Sequence, residues 1–279
     1  TEWSATPFTP QSYSLGRATN SKLGIEEMST DLGSRELVAR AEGIFWYPSE
    51  VDVSIRPGWF YHASQDDEVR SIANLIDIYF NSVGRNSVLL LNIPPDRRGL
   101  IHEVDASRIE ALHNYITITF ANNFIDGKVR EWHASEGESI ELKMKRGSII
   151  NTVQLSEDIT RGQRVEHFTI EAYTNGRWQH LTEGTTIGYK RLLRFSDCRA
   201  ERIRITIKSC RSTAHINNIG AYYAPHLEDD GSSVIVSDLS NEGWQTMEDD
   251  AYTAIDGDVE TAWRSEGITP LTIDLGAMT

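Results

Sequence analysis

The hydrophobic period of this chain changes once, near residue 121, and this change restricts the possible folds. Before it, a short apolar run at 43–48 ends in a proline and is expected to be a strand that leads into a loop. A helical pattern over 69–80 follows, with Asp66 or Asp67 as its candidate N-cap, and then come an apolar run at 87–93 and a second helical pattern over 105–115. The order strand, helix, strand, helix predicts a parallel sheet covered by helices, as in a β/α barrel. We therefore expect residues 1–120 to form the C-terminal part of a (β/α)8-like barrel.

Residues 121–225 show the strand period instead. Asn175-Gly176 is a strong signal for a two-residue hairpin turn. The alternating segments are 139–144, 149–155, 165–172, 178–181 and 203–207. Roughly 100 residues of short strands without helices predict an antiparallel β-sandwich. Composition marks a linker at 226–233, and residues 234–279 are expected to begin a second, incomplete β-sandwich, so the chain is multidomain.

Charge and hydropathy exclude some partners. The formal net charge is −14, which disfavours nucleic acid and anionic membranes because both require a basic face. A neutral sugar is compatible with this charge, although acidity also simply keeps a soluble protein dispersed. No apolar run approaches the ~20 residues needed to cross a bilayer, so no membrane insertion is expected.

Two cysteines, Cys198 and Cys210, flank one predicted strand. A disulfide would require that they meet across neighbouring strands, and two thiols are the favoured interpretation.

The segment 46–62 combines aromatic and charged residues after a short apolar run. Glu50, Arg56, Trp59 and His62 all lie in it. Aromatic rings bind the apolar faces of sugars, and Arg, His and carboxylate groups bind hydroxyls. The alternative is a buried aromatic cluster in which Glu50 and Arg56 form an ordinary ion pair. The pattern alone does not separate these two interpretations.

Two long motifs within residues 50–99 carry a family resemblance. Arg56-Pro-Gly-Trp-Phe-Tyr-His62 and Ser82-Val-Gly-Arg-Asn-Ser-Val-Leu-Leu-Leu-Asn-Ile-Pro-Pro-Asp-Arg-Arg-Gly99 resemble the family 29 glycoside hydrolases, the α-L-fucosidases. The nearest likeness is to the branch that cleaves α-1,3/1,4-linked fucose. The resemblance continues through the sandwich, where 183–191 also fits.

This resemblance implies a retaining exo-α-L-fucosidase that hydrolyses terminal fucose from a fucosylated oligosaccharide or glycan. It implies an Asp nucleophile, a Glu acid/base and no catalytic cofactor. A secreted or periplasmic location is expected by analogy with the family. The alternative is a set of non-catalytic carbohydrate-binding or structural modules attached to a barrel remnant.

The nucleophile of the family lies in a Trp-x-Asp-Gly-like strand end, and this sequence has no such motif. Asp126-Gly127 and Asp256-Gly257 both fall outside the predicted barrel part. The chain starts without Met and stops soon after a strand pattern at 271–275, so both ends are predicted to be cut. We therefore expect this fragment to be inactive alone.

The resemblance also implies roles for residues of the segment 46–62. Glu50 matches the acid/base of one branch, whereas in the other branch the acid/base would precede Thr1 and Glu50 would bind substrate. Arg56 is expected to donate to sugar hydroxyls, Trp59 to stack on the sugar ring and His62 to bind a hydroxyl. Trp3 could also reach the site. Three further residues are expected to order backbone: Asn92 in a loop, and Arg97 and Arg98 in the turn before the last helix.

The last segment has a separate signature. Asp256, Asp258 and Thr261 lie in a pattern that resembles the start of a discoidin-like (factor V/VIII type C) domain, as in some carbohydrate-binding modules. The resemblance implies a structural Ca²⁺ held by these oxygens. The alternative is a tight turn without a metal.

Overall fold

The computed structural model describes residues 49–127 and 131–227 in full. Outside these ranges it describes the helical positions Glu36 and Ala39 and the backbone of four short strands. Two of these strands, β1 (Trp3–Ala5) and β2 (Ile44–Trp46), pair antiparallel, with Trp3 opposite Trp46.

Residues 49–121 form a unit of parallel strands and helices, here called the β/α unit. Its elements are β3 (Glu50–Ser54), a 3₁₀ turn (Ala63–Glu68), α1 (Ile72–Asn81), β4 (Val88–Asn92) and α2 (Glu103–Ala121). β3 and β4 pair in parallel, from Glu50 opposite Val88 to Ser54 opposite Asn92. The predicted order of parallel strands and helices is confirmed for this part of the chain.

Two boundaries differ from the prediction. The parallel strand starts at Glu50, whereas the sequence suggested a strand ending near Pro48 with Glu50 in the following loop. The alternating Val51 and Val53 are the signal for it, because β-branched residues at period two favour a strand. Helix α1 is capped by Ser71, whose hydroxyl accepts from the Asn74 amide at 3.2 Å, and not by Asp66 or Asp67.

The two faces of the β3–β4 pair have different surroundings. Ile55, which directly follows β3, is fully buried in a cluster with residues of α1 and α2. On the opposite face, Val88 and Leu90 are 52% and 51% exposed, beside the exposed Glu50 and Asp52. In the described residues the helices therefore cover one face of this sheet and leave an apolar and acidic face open.

The second unit is a sandwich of two antiparallel four-stranded sheets. Its strands are β5 (Trp132–Ala134), β6 (Ser139–Lys143), β7 (Ile149–Glu157), β8 (Val165–Thr174), β9 (Arg177–Gly184), β10 (Arg191–Arg199), β11 (Arg202–Cys210) and β12 (Ala214–Tyr222). The sheet orders are β10-β7-β12-β5 and β6-β11-β8-β9. Apolar side chains from both sheets form the core between them, with Phe168, Ile150 and Ile205 at most 1% exposed.

The predicted hairpin is confirmed. β8 and β9 pair antiparallel around Asn175 and Gly176, which take φ angles of 49° and 77°. Positive φ at both positions is what a type I′ turn requires. Cys198 and Cys210 lie on strands of different sheets and form no disulfide, as the thiol interpretation expected.

The β/α unit and the sandwich pack against each other, and β10 and the loop before it contribute to this contact. Leu192 of β10 is buried in the cluster formed by α1 and α2. The Asn86 side chain donates to the Ile187 carbonyl at 2.9 Å and accepts from the Lys190 amide at 2.8 Å. Tyr189, in the same loop, is 64% exposed.

Beyond the sandwich, β13 (Gln245–Thr246) pairs antiparallel with β14 (Ile273–Asp274). The candidate calcium ligands Asp256, Asp258 and Thr261 lie outside the described residues, as does most of the linker. Within the described ranges, none of the helices has the length and apolar character that crossing a bilayer requires.

Candidate functional site

The loop 57–62 leaves the carboxyl end of β3, and Asn92 at the end of β4 holds it. The Asn92 amide nitrogen lies 3.1 Å from both the Ser54 hydroxyl and the Trp59 carbonyl. Parallel pairing places Ser54 and Asn92 side by side, so one amide can hold both the strand end and the loop. The expected role of Asn92 in ordering loop backbone is confirmed.

Arg56 starts this loop and is buried, with 2% of its surface exposed. Its Nε donates to both carboxylate oxygens of Asp105, at 2.8 and 3.0 Å, and its Nη1 donates to Asp66 at 2.9 Å. Burial alone would lower the pKa of Arg56, but the bonds to Asp105 and Asp66 outweigh it and raise that pKa. Its pairing partners are therefore these two aspartates and not Glu50.

An aromatic layer lies over this ion pair. The Tyr61 ring centroid is 4.8 Å from the Arg56 guanidinium carbon and 5.6 Å from the His102 ring. Partial burial, followed by the charge of Asp66, raises the pKa of the Tyr61 phenol. Arg56, Asp66 and Tyr61 together hold the base of the loop in a fixed position.

The outer part of the loop faces solvent. Trp59 is 50% exposed and Phe60 is 77% exposed, and His62 is exposed as well. A large aromatic face on a rigid backbone loses little side-chain entropy when a flat, apolar surface stacks on it. Trp59 and His62, both predicted from the sequence, are thus presented together by the same loop.

Glu50 lies within β3, whereas the sequence suggested a loop after a strand. Glu50 lies on the open face of the sheet, but as the first residue of β3 it is at the amino end, ~13 Å along the strand from Ser54. That Glu50 and Trp59 face a common concavity stays a prediction. Trp3 is described only by its backbone in β1.

The turn after β4 is ordered by Arg98, as expected. Its guanidinium bonds to Asp96 at 2.6 and 2.8 Å and to Glu103 at 2.8 Å. Asp96 also accepts from the Arg98 and Leu100 amides. The side-chain bond from Arg98 lowers the pKa of Asp96 below its ordinary 3.8. This turn fixes the entry to α2 and hence the position of Asp105.

Replacing Asp96 with Asn should destabilise the protein at neutral pH, and this loss should fade in acid. A carboxyl whose pKa is lowered by folding contributes stability above its unfolded pKa and loses it as pH falls through the folded pKa. The difference in unfolding midpoint between wild type and Asp96→Asn should therefore shrink below pH 3.8. Urea unfolding measured between neutral pH and about pH 2 tests this.

The exposed Asp67 supplies the control for this experiment. Asp67→Asn should leave the unfolding midpoint unchanged at every pH. A destabilisation by Asp96→Asn that is the same at neutral and acidic pH would contradict the role of the Asp96 charge.

Two cavities lie away from this loop. One, of about 240 Å³, is lined by residues of β9 and β10, including His180 and Asp197. The other, of about 290 Å³, lies between α1 and the sandwich, beside Asp77 and Arg194. Residues of the exposed loop 57–62 line neither of these two cavities.

Sequence reasoning missed Asp105 and the pairing role of Asp66. Asp105 is fully buried near the start of α2, four residues before Ile109 on the apolar face. A carboxylate on the apolar face of a helix requires a buried partner, and this was the available signal.

Comparison with known proteins gives the family context of this site. Residues 15–119 match the family model of alpha-L-fucosidase. The similarity is to α-L-fucosidases. Alpha-L-fucosidase 1 of Arabidopsis thaliana is 33% identical over 241 residues, covering 75% of this chain and 46% of the relative. The stretch matched by the family model contains residues 49–119 of the β/α unit, including the loop 57–62.

Solved structures agree with this result. A Bacteroides ovatus protein provisionally described as an α-L-fucosidase is 46% identical, with a TM-score of 0.76, covering 99% of this chain and 44% of that one. A Ruminococcus gnavus family 29 fucosidase in complex with fucose is 29% identical, with a TM-score of 0.60, over 69% of this chain and 44% of that one. The chain spans less than half the length of each of these relatives.

Proposed function

We propose that this chain is the C-terminal part of a retaining exo-α-L-fucosidase that removes terminal α-1,3/1,4-linked L-fucose from oligosaccharides or glycans. The loop 57–62 forms one wall of its sugar site. The observation that carries this proposal is the pair of exposed aromatic rings, Trp59 and Phe60, on a loop fixed at the carboxyl end of parallel strands. Catalytic groups of β/α barrels lie at this end of the strands.

The open face of β3 and β4 supports a barrel remnant. Val88 and Leu90 expose about half of their surface there, which is unfavourable in water. Further parallel strands of the same barrel would cover this face and supply the other walls of the sugar site. The Asp nucleophile would belong to those strands, since a retaining glycosidase needs two carboxylates ~5–5.5 Å apart.

The site residues divide into contact and positioning roles. Trp59 stacks on the sugar ring and His62 binds a hydroxyl, because both are exposed on the same loop. Arg56 positions the loop, because two of its guanidinium nitrogens are already bonded to carboxylates. Glu50 lies at the amino end of β3, away from the carboxyl end where the catalytic groups of a barrel lie, and this disfavours Glu50 as the acid/base. In the whole barrel, Glu50 would face the interior at its amino end. Trp3 is retained as a candidate contact.

Two further proposals follow from the family likeness. A structural Ca²⁺ would be held by the oxygens of Asp256, Asp258 and Thr261 in a discoidin-like module, because hard oxygen ligands suit that ion. A secreted or periplasmic location suits an enzyme that acts on fucosylated glycans. Catalysis itself would need no cofactor, because the two carboxylates perform both displacement steps.

A chimera tests the proposed function. The segment of the Bacteroides ovatus protein that aligns with this chain would be replaced by residues 1–279. The chimera should hydrolyse an aryl α-L-fucoside, whereas the 279-residue chain alone should show no turnover. In the chimera, Trp59→Ala should lower kcat/KM by about 10–100-fold, because a stacking surface worth ~1.4–2.7 kcal/mol is lost.

Tyr189→Ala is the matched control, because Tyr189 is an aromatic residue on the sandwich that is 64% exposed, against 50% for Trp59. It should change kcat/KM by less than about twofold. A chimera that folds but has no fucosidase activity, or a Trp59→Ala chimera as active as Tyr189→Ala, would count against the proposal.

A further inference from the structure

His133 and His215 face each other across the edge of the sandwich. Their strands, β5 and β12, pair antiparallel with the two histidines directly opposite, and the ring centroids are 4.5 Å apart. Residues directly opposite in an antiparallel pair place their side chains together on one face of the sheet. The register of the two strands, and not a flexible surface contact, therefore brings the imidazoles together.

Glu131 adds a carboxylate to this pair. One of its oxygens, Oε1, lies 3.0 Å from Nε2 of His133 and 3.2 Å from Nδ1 of His215. One ligand atom from each of the three residues lies within 4.8 Å of the other two. Donors bound to a tetrahedral ion at ~2.0–2.1 Å are themselves ~3.3 Å apart. The observed spacing is thus close to that of a metal site.

We propose that Glu131, His133 and His215 bind a Zn²⁺ ion that fastens β5 to β12. Two imidazole nitrogens and one carboxylate oxygen suit this borderline metal, and three protein ligands leave the fourth position for water. Each ligating nitrogen must offer its lone pair. The ring proton therefore resides on Nδ1 of His133 and on Nε2 of His215 when the metal is bound.

The electrostatics of the cluster favour a cation. Glu131 contributes one carboxylate beside the two imidazoles. Arg161 is a nearby cation, and its Nε lies 3.4 Å from Asp158, whose charge offsets it. The Zn²⁺ charge would thus meet a net-negative set of neighbours.

The site is both held in place and reachable. The side chain of His215 is 13% exposed, and its carbonyl accepts from the Asp158 amide at 2.8 Å, which holds β12 in place. The side chains of His133 and Glu131 are 56% and 44% exposed, so an ion can enter from solvent. β5 is an edge strand of only three residues, and a metal bridge to β12 would compensate for its short ladder.

Metal binding to the full 279-residue protein tests this proposal. The tag-free protein would be stripped with chelator and titrated with Zn²⁺ by calorimetry, and with Co²⁺ to read tetrahedral coordination from its visible absorption. Losing a hydrogen-bond partner of a metal ligand already weakens affinity by ~10–100-fold. His133→Ala and His215→Ala should therefore each weaken Zn²⁺ binding by more than about 100-fold, and remove the tetrahedral Co²⁺ spectrum.

Glu131→Gln keeps the shape and tests the site without risk to folding, and it should weaken Zn²⁺ binding at least about tenfold. His167→Ala is the matched control, since His167 lies 3.5 Å from Glu183 on the other sheet. In the described residues this second pair belongs to no three-ligand group, so His167→Ala should leave binding unchanged. Saturable Zn²⁺ binding that persists in both Glu131→Gln and His133→Ala, or no binding tighter than millimolar in wild type, would overturn the proposal.

Discussion

Replacing Asp105 with alanine should lower the free energy of unfolding of the β/α unit by about 3 kcal/mol. Asp105 and the Arg56 guanidinium are both fully buried, with their atoms 2.8 Å apart. Without Asp105, the buried cation would keep only the partly exposed Asp66 at 2.9 Å. Removing one partner of a buried ion pair leaves an uncompensated buried charge, which usually costs ~3–5 kcal/mol. Because Asp66 still pairs with Arg56, we expect the loss of stability to lie in the lower part of this range.

The helical circular dichroism signal during urea unfolding measures this effect, because α1 and α2 both belong to the β/α unit. Asp77→Ala is the control. Asp77 also accepts from an arginine, Arg194, at 2.6 Å, but both side chains are 41–57% exposed. An exposed pair is worth at most about 1 kcal/mol, so equal losses in the two variants would contradict the buried role of Asp105.

The β/α unit illustrates what sequence pattern can predict. The uninterrupted apolar run of β4 and the helical spacing of α1 were sufficient to predict parallel strands joined by a helix. The start of β3 was misplaced because the aromatic run before Pro48 is more hydrophobic than the alternating Val51 and Val53. Hydrophobicity alone does not show whether a strand belongs to the parallel β3–β4 sheet or to the antiparallel β1–β2 pair.

The sandwich shows a second limit. Strands β6, β7, β8, β9 and β11 were predicted, but β10, β12 and the three-residue β5 were not. In β10 the pairing register shifts between Arg194 and Cys198, and in β12 it shifts between Ile216 and Asn218. A bulge inserts an extra residue and breaks the two-residue period, so the alternation that reveals a strand is lost at its centre.

The candidate site was predicted in part. Trp59, His62 and Asn92 could be chosen because an aromatic and polar cluster directly follows a strand. The pairing of Arg56 with Asp105 could not be chosen, because the two residues are 49 positions apart. Charge composition does not determine which of several nearby carboxylates meets a buried arginine. That choice depends on how α2 packs against the end of β3.

The last residue of β7, Glu157, should be as important for the sandwich as Asp105 is for the β/α unit. Its side chain is buried, with 2% of the residue exposed. Its carboxylate accepts from the Arg164, Val165 and Gly188 amides at 2.8, 3.1 and 2.8 Å. One side chain thus satisfies three backbone donors from two loops, and one of these loops carries the contacts of Ile187 and Lys190 with Asn86.

Glu157→Ala should lower the free energy of unfolding by at least about 3 kcal/mol, because each amide left buried without an acceptor costs ~1–3 kcal/mol. Glu157→Gln should lower the free energy of unfolding by less than Glu157→Ala does, because the glutamine oxygen can still accept a hydrogen bond. It should still lower that free energy, because the glutamine NH₂ group would face backbone donors. Urea unfolding followed by tryptophan fluorescence measures the loss. Hydrogen exchange of residues 185–190 should accelerate in Glu157→Ala, because the loop loses the bond at the Gly188 amide.

The surface residue Glu138 provides the control, since it accepts from a single exposed amide, that of Ser135, at 2.7 Å. Glu138→Ala should change the free energy of unfolding by less than about 1 kcal/mol and leave exchange of residues 185–190 unaltered. If Glu157→Ala unfolded at the same urea concentration as Glu138→Ala, the three amides would have found other acceptors. The buried carboxylate would then not be what holds the loop between the two units.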